Sequence, residues 1–143
     1  MKIPKKEDGQ GLVEYALLLV LVAIVIIAIL TILGSQVNLV FAKVVAGLNG
    51  QVITGVGTEA VVSGYDKSVS GTTTCTVEVS DISFIGLQDG EILENGTVSL
   101  AITFGGNSPS VQQGSTGSNG IGRLAGPYSG SGPCPLSVSV LGN

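Results

Sequence analysis

From Tyr15 to Ala42 the chain carries no charged side chain over 28 consecutive positions, and Ala16 to Leu30 is wholly Ala, Leu, Val and Ile. A segment apolar on every side of a 3.6-residue period predicts a helix buried in lipid or inside a protein assembly. The run exceeds the roughly 20 residues needed to span a bilayer. A Gly34-Ser35 pair interrupts it and suits a bend. Beyond that pair Val37, Val40, Phe41, Val44, Val45 and Leu48 fall at helical spacing, with Asn38 and Lys43 off the stripe. This half should pack on the chain's own C-terminal region, on neighbouring helices, or on both. A helix from Gln10 to Leu48 would be about 58 Å long at 1.5 Å per residue, well beyond a ~30 Å hydrocarbon core. In GLNGQ, Gly47 and Gly50 are the C-cap candidates.

From Gln51 onward the period changes to two. GTVSLAITF puts Val98, Leu100, Ile102 and Phe104 on one face, and TTTCTVEVSDISF does the same for Cys75, Val77 and Val79. PLSVSVLG points Leu136, Val138 and Val140 inward. Such alternation predicts half-buried antiparallel strands. Asp89-Gly90 and Asn95-Gly96 are hairpin-turn dipeptides, so Ile82 to Phe104 reads as a meander. Val52-Ile53 and Ala60 to Val62 are weaker strand candidates. Phe104 to Cys134, rich in Gly and Ser, reads as a long surface loop anchored by Arg123 and Tyr128, and such a loop could serve subunit contact or adhesion. The fold class expected is α+β: a long apolar N-terminal helix followed by a small antiparallel β-sheet domain, sandwich-like or curled over the helix stripe.

Composition narrows the function. The chain has no His and no Trp, only 11% charged residues, and a formal net charge of −4. Without His the commonest general base and metal ligand is absent. No GxxxxGK[ST] or GxSxG occurs, so neither a phosphate cradle nor a nucleophile elbow is expected. No catalytic residue, metal or cofactor is predicted, and the chain does not read as an enzyme. A specific nucleic-acid binder needs a cationic surface, which this chain lacks. Asp89, Glu91 and Glu94 lack EF-hand spacing and read as a solvated hairpin.

Cys75 and Cys134 lie 59 residues apart, with neither CxxC nor CxxCH, which removes zinc, thioredoxin-like and haem readings. A thin core with few aromatics needs a staple, and a translocated domain sits where disulfides persist. A Cys75–Cys134 disulfide pinning the last strand is therefore expected. Asn95-Gly96-Thr97 fits an N-glycosylation sequon at Asn95 and equally well a turn.

The flank MKIPKK is basic, which leaves Met1 in the cytoplasm and sends the C-terminal region across the membrane. The run is longer than a secretory h-region, and no A-x-A-like site follows it. Hydropathy alone describes an uncleaved signal anchor, that is, a single-span surface or binding protein. Glu14 disturbs that description, because an acid carried into a membrane needs a partner and the next Lys is Lys43. A cut after Gly9 would turn Gln10 into a free α-amine, and residues i and i+4 are neighbours on a helix.

A short basic leader ending in Gly9, Gln10 after it, Glu14 fifth beyond the cut, Tyr15 next and an apolar helix following resembles a class III, type IV prepilin leader. The stretch GQGLVEYALLL is similar to Flp-type pilins of tight-adherence (Tad) pili, with similarity over residues 9–48. The resemblance implies cleavage between Gly9 and Gln10 by a prepilin peptidase. It implies that Glu14 neutralises the N-terminal amine of a neighbouring subunit and that Tyr15 packs at the same junction. Flp-type pilins are commonly little more than the helix, whereas this chain continues for nearly a hundred residues. The organisation expected is a leader over 1–9, a long helix over 10–50 and an extracellular β domain over 51–143. The partners expected are identical subunits in a helical filament, the peptidase and assembly machinery, and the membrane before assembly. The precursor is expected in the cytoplasmic membrane and the mature chain in an extracellular pilus. The alternatives are a single-span membrane-anchored surface or binding protein and a pseudopilin of a secretion machine.

Overall fold

The computed structural model describes residues 10–142. The α+β class holds: one long apolar helix precedes antiparallel sheets. Helix α1 spans Gln10–Asn49, and the Gly34-Ser35 pair does not interrupt its hydrogen bonding. Between Gly34 and Ser35 the chain divides into two compact units, so the end of the helix belongs with the β strands. Gly50 ends α1 with φ of 68°, and the Gln51 N–H donates to the Ala46 carbonyl at 2.9 Å. Glycine adopts that left-handed conformation without a Cβ clash, which selects it over Gly47 as the cap.

Eight strands follow: β1 (Thr58–Ser70), β2 (Thr74–Gln88), β3 (Glu91–Ile92), β4 (Thr97–Phe104), β5 (Ser110–Ser115), β6 (Ile121–Leu124), β7 (Tyr128–Pro133) and β8 (Val138–Gly142). They form two antiparallel sheets. In the larger one β2 is central, pairing with β1 on one edge and with β3, β6 and β7 on the other. The smaller one has the order β5-β4-β8. Ala60, Val62, Val77, Val79, Ile82 and Phe84 of the larger sheet share one core with Val98, Leu100, Ile102, Phe104 and Val140 of the smaller. Two sheets with a common apolar interior make a sandwich. Each fully buried side chain such as Ile82, Phe84 or Leu100 contributes roughly 1.5–3 kcal/mol by leaving water.

Several strand expectations change. The inward alternation of Cys75, Val77 and Val79 slips by one at Asp81, whose φ is 51°, so Ile82 and Phe84 take over the inward face. The irregularity lets β2 serve the sandwich core with one parity and, through Ile85 and Leu87, the opposite face with the other. Asp89-Gly90 does close a hairpin, from β2 to β3. At Asn95-Gly96, however, the chain crosses to the second sheet, so Ile82 to Phe104 is not a meander. Buried Thr116 holds that crossing, its Oγ1 donating to the Leu93 carbonyl at 2.6 Å and accepting from the Gly96 N–H at 3.0 Å. Val52-Ile53 forms no strand, while Ala60 to Val62 belongs to the longest edge strand, β1.

The segment expected to be a loop from Phe104 to Cys134 contains β5, β6 and β7. Its glycines are the reason it pairs. Gly114 and Gly122 lie against the ring of Phe84, leaving no room for a side chain, and Gly130 lies likewise against Phe104. At these glycines the strands meet the core through backbone, with only Leu124 and Tyr128 adding apolar side chains, so their sequence carries no apolar alternation.

Cys75 and Cys134 are bonded, with Cα atoms 5.1 Å apart. The bond ties β2 to the end of β7, not to the last strand, since β8 lies in the other sheet. Closing a loop of this length restricts the unfolded chain by about 4 kcal/mol on chain entropy. We expect Cys75→Ser/Cys134→Ser to lose about 2–4 kcal/mol of unfolding free energy in a urea titration; a loss under about 0.5 kcal/mol would contradict a stapling role.

Candidate functional site

The residues singled out from the sequence fall into three places. Gly9 lies outside the described residues. Glu14 and Tyr15 sit side by side in α1, exposed, and Gln10 is one helical turn before Glu14. Asn95 is exposed in its turn with φ of 50°, its N–H donating to the Gly117 carbonyl at 3.0 Å. Arg123 pairs with Asp81 at 3.2 Å on the surface, a contact worth little in water. Tyr128 packs against the edge of the sandwich core. Among the described residues no cluster of His, Cys, Asp and Glu could hold a metal ion.

The apolar surface of α1 dominates the molecule chemically. Large side chains from Leu12 to Leu33 are all exposed, for instance Leu12 at 72% and Ile32 at 73%. By length and composition this helix could cross a membrane. A surface of this apolar extent suits lipid or a protein partner better than water.

The end of α1 corrects the expected stripe. Val37, Val40, Phe41, Val44 and Leu48 point away from the sheets and stay exposed, Leu48 at 82%. Of that stripe only Val45 is half-buried against the strands. The packed side consists instead of Ala42 and Ala46, with Leu39 and Val45 flanking them, against Val61, Ile85 and Leu87 on the outer face of the larger sheet. Methyl-sized side chains let the helix backbone approach the sheet, and the neighbouring Val, Phe and Leu would hold it off.

Polar groups complete the attachment. Asn38 Nδ2 donates to the Asn119 carbonyl at 3.0 Å, although Asn38 was expected to lie off the packed side. Asn49 Nδ2 donates to the Val62 carbonyl at 3.0 Å, and Gln51 Oε1 accepts from the Val62 N–H at 3.2 Å. Two side-chain amides thus occupy both backbone groups of one residue in β1, standing where a neighbouring strand would be. The signal for this side was present as Asn38, Ala42, Ala46 and Asn49, at steps of four, four and three. The larger apolar side chains of the neighbouring stripe mask it, because size marks burial on average while close approach selects Ala.

The connection from α1 to β1 is pinned by carboxylates. Glu59 accepts from the Thr54 hydroxyl, from the Thr54 N–H at 2.8 Å and from the Gly55 N–H at 3.3 Å. The Thr54 hydroxyl foremost, then these N–H groups, hold the Glu59 carboxyl below its ordinary value. The stabilisation is present above the unfolded carboxylate value and fades as pH falls through the folded one. Asp89 Oδ1 accepts from the Gly57 N–H at 2.8 Å.

Because Ala42 is fully buried and Val40 is exposed, their substitutions should differ sharply. Ala42→Leu should overpack the helix–sheet contact and cost about 1–3 kcal/mol, read by thermal unfolding in detergent, whereas Val40→Ala should stay within about 0.5 kcal/mol. Equal effects would contradict this assignment of faces. Comparison with known proteins adds no relative to this geometry: no protein-family model, curated protein or solved structure matches the chain.

Proposed function

We propose that this chain is a structural subunit of an extracellular filament, a type IV pilin-like protein whose N-terminal helix resembles that of Flp-type pilins. One observation carries the reading. The apolar surface of α1 is exposed on all sides through Leu33, and an apolar stripe from Val37 to Leu48 continues it beside a folded β unit. Lipid accounts for roughly 20 residues of such a surface. The remaining stripe calls for protein, and identical helices bundled together cover both parts.

In this reading the leader ends at Gly9 and a prepilin peptidase frees the amine of Gln10. The precursor waits in the cytoplasmic membrane with Met1 inside and the β unit outside. Extraction into the filament exchanges lipid contacts for helix contacts. Glu14 then pairs with the Gln10 amine of a neighbouring subunit, and Tyr15 packs beside the pair. A subunit out of register leaves that carboxylate buried without a counter-charge, which costs on the order of 3–5 kcal/mol. The charge is thus a register mark in an otherwise featureless apolar surface. The disulfide-stapled β unit coats the outside, and no reaction is assigned to it.

The test is Glu14→Ala in cells that make the native protein. Processing and membrane insertion should persist while sheared filament yield falls several-fold. Filaments in normal amount would refute the pairing role of Glu14.

A further inference from the structure

Asparagine is chemically labile, and most so before glycine, where no side chain hinders attack by the next amide nitrogen. The chain has three such pairs: Asn49-Gly50, Asn95-Gly96 and Asn119-Gly120. At the last two the fold admits no bulkier second residue. A Cβ on Gly96 would collide with the Leu93 side chain, and one on Gly120 with Ile92. Asn95 itself takes a φ of 50°, which asparagine tolerates better than most residues. Shape therefore dictates the labile pair, and its protection has to come from elsewhere.

Hydrogen bonds hold each pair differently. Asn49 Nδ2, the leaving group of the reaction, is bound to the Val62 carbonyl at 3.0 Å. Asn119 Oδ1 accepts from the Ile121 N–H at 3.1 Å, and the Gly120 N–H donates to the Gly117 carbonyl at 3.0 Å. The same Gly117 carbonyl accepts from the Asn95 N–H at 3.0 Å, so the two turns form one cluster. Within it Asn95 is exposed, and the attacking nitrogen of its pair is held by one side chain. The Gly96 N–H donates to Thr116 Oγ1 at 3.0 Å, and that buried hydroxyl donates onward to the Leu93 carbonyl at 2.6 Å.

We propose that Asn95 is a latent deamidation site and that the Thr116 hydroxyl is the gate that keeps it closed. In the reaction the Gly96 nitrogen bonds to Asn95 Cγ, the Cγ–Nδ2 bond breaks, and ammonia leaves with the proton that Gly96 gives up. Water then opens the cyclic imide at either carbonyl, giving aspartate or isoaspartate, so a water is consumed for each ammonia released. Loss of the Gly96 proton forfeits its bond to Thr116. The Thr116 proton is committed to Leu93, so the hydroxyl does not turn round to support the bare nitrogen. The site therefore opens when this part of the β unit opens. Its product sets a second carboxylate beside Glu94, and isoaspartate also lengthens the backbone where the chain crosses between sheets. This chemistry is independent of the assembly proposed above.

The test is ageing of the full-length, disulfide-bonded chain in detergent at mildly alkaline pH, with aspartate and isoaspartate at 49, 95 and 119 read by peptide mapping. Wild-type Asn95 should convert at least about tenfold more slowly than in the same chain unfolded by urea and reductant. Thr116→Val removes the hydroxyl at nearly constant shape and should speed Asn95 about tenfold while Asn119 keeps its rate. Thr116→Ser keeps the hydroxyl and should age like wild type. Asn95 ageing no faster in Thr116→Val would overturn the proposal. So would equal acceleration at 95 and 119, which reports general loosening of the cluster. Should Thr116→Val fail to fold, hydrogen exchange of the Gly96 amide in the wild type decides. Slow exchange supports the gate, and exchange at the unfolded-chain rate overturns it.

Discussion

Everything in this chain follows from one constraint: a helix apolar on every side cannot face water. A β sandwich can bury its apolar half internally, but α1 from Leu12 to Leu33 has no internal surface to turn to. Its stability is therefore borrowed from surroundings, lipid or other chains, and only the end of the helix, at Ala42 and Ala46, is covered by the chain itself. A carboxylate inside such a surface is tolerable only where a positive charge meets it. That condition turns Glu14 from an oddity of composition into the place where assembly would be specified.

The β unit solves the opposite problem, a core too thin for its strands. Phe84 fills the interior between sheets because Gly114 and Gly122 draw two strands over its ring, and the Cys75–Cys134 bond limits the freedom of the unfolded chain. Attachment of the helix uses the same economy of side-chain size. Ala42 and Ala46 bring backbone near to sheet, after which Asn38, Asn49 and Gln51 satisfy polar groups that the approach would otherwise strand. The consequence is directional: with the small residues inward, Val37, Val40, Phe41, Val44 and Leu48 are left facing outward.

How much of this was legible depended on which physical signal each element used. The helix, the inward faces of β4 and of the first half of β2, the Asp89-Gly90 turn and the disulfide were readable because each rests on residue pattern or turn chemistry. Strands β5 to β7 were not readable, since a strand that packs through glycine has no alternating apolar face. The crossing at Asn95-Gly96 was hidden because the dipeptide specifies a turn and not the sheet entered after it. The helix stripe was misread for a related reason: size predicts burial on average, but close packing of a helix on a sheet selects the smallest side chains. Of the candidate site, Glu14 stands out by its charge against an apolar background and Tyr15 only through the resemblance to Flp-type pilins, while Gly9 lies outside the described residues.

The account turns on α1 changing solvent after a cut that creates the partner of Glu14. The most direct measurement is the intact mass and N-terminal peptide of this chain recovered by shearing from the cell surface. The account predicts a chain beginning at Gln10. Surface-sheared protein that still carries Met1 would contradict it, leaving α1 as a permanent membrane anchor.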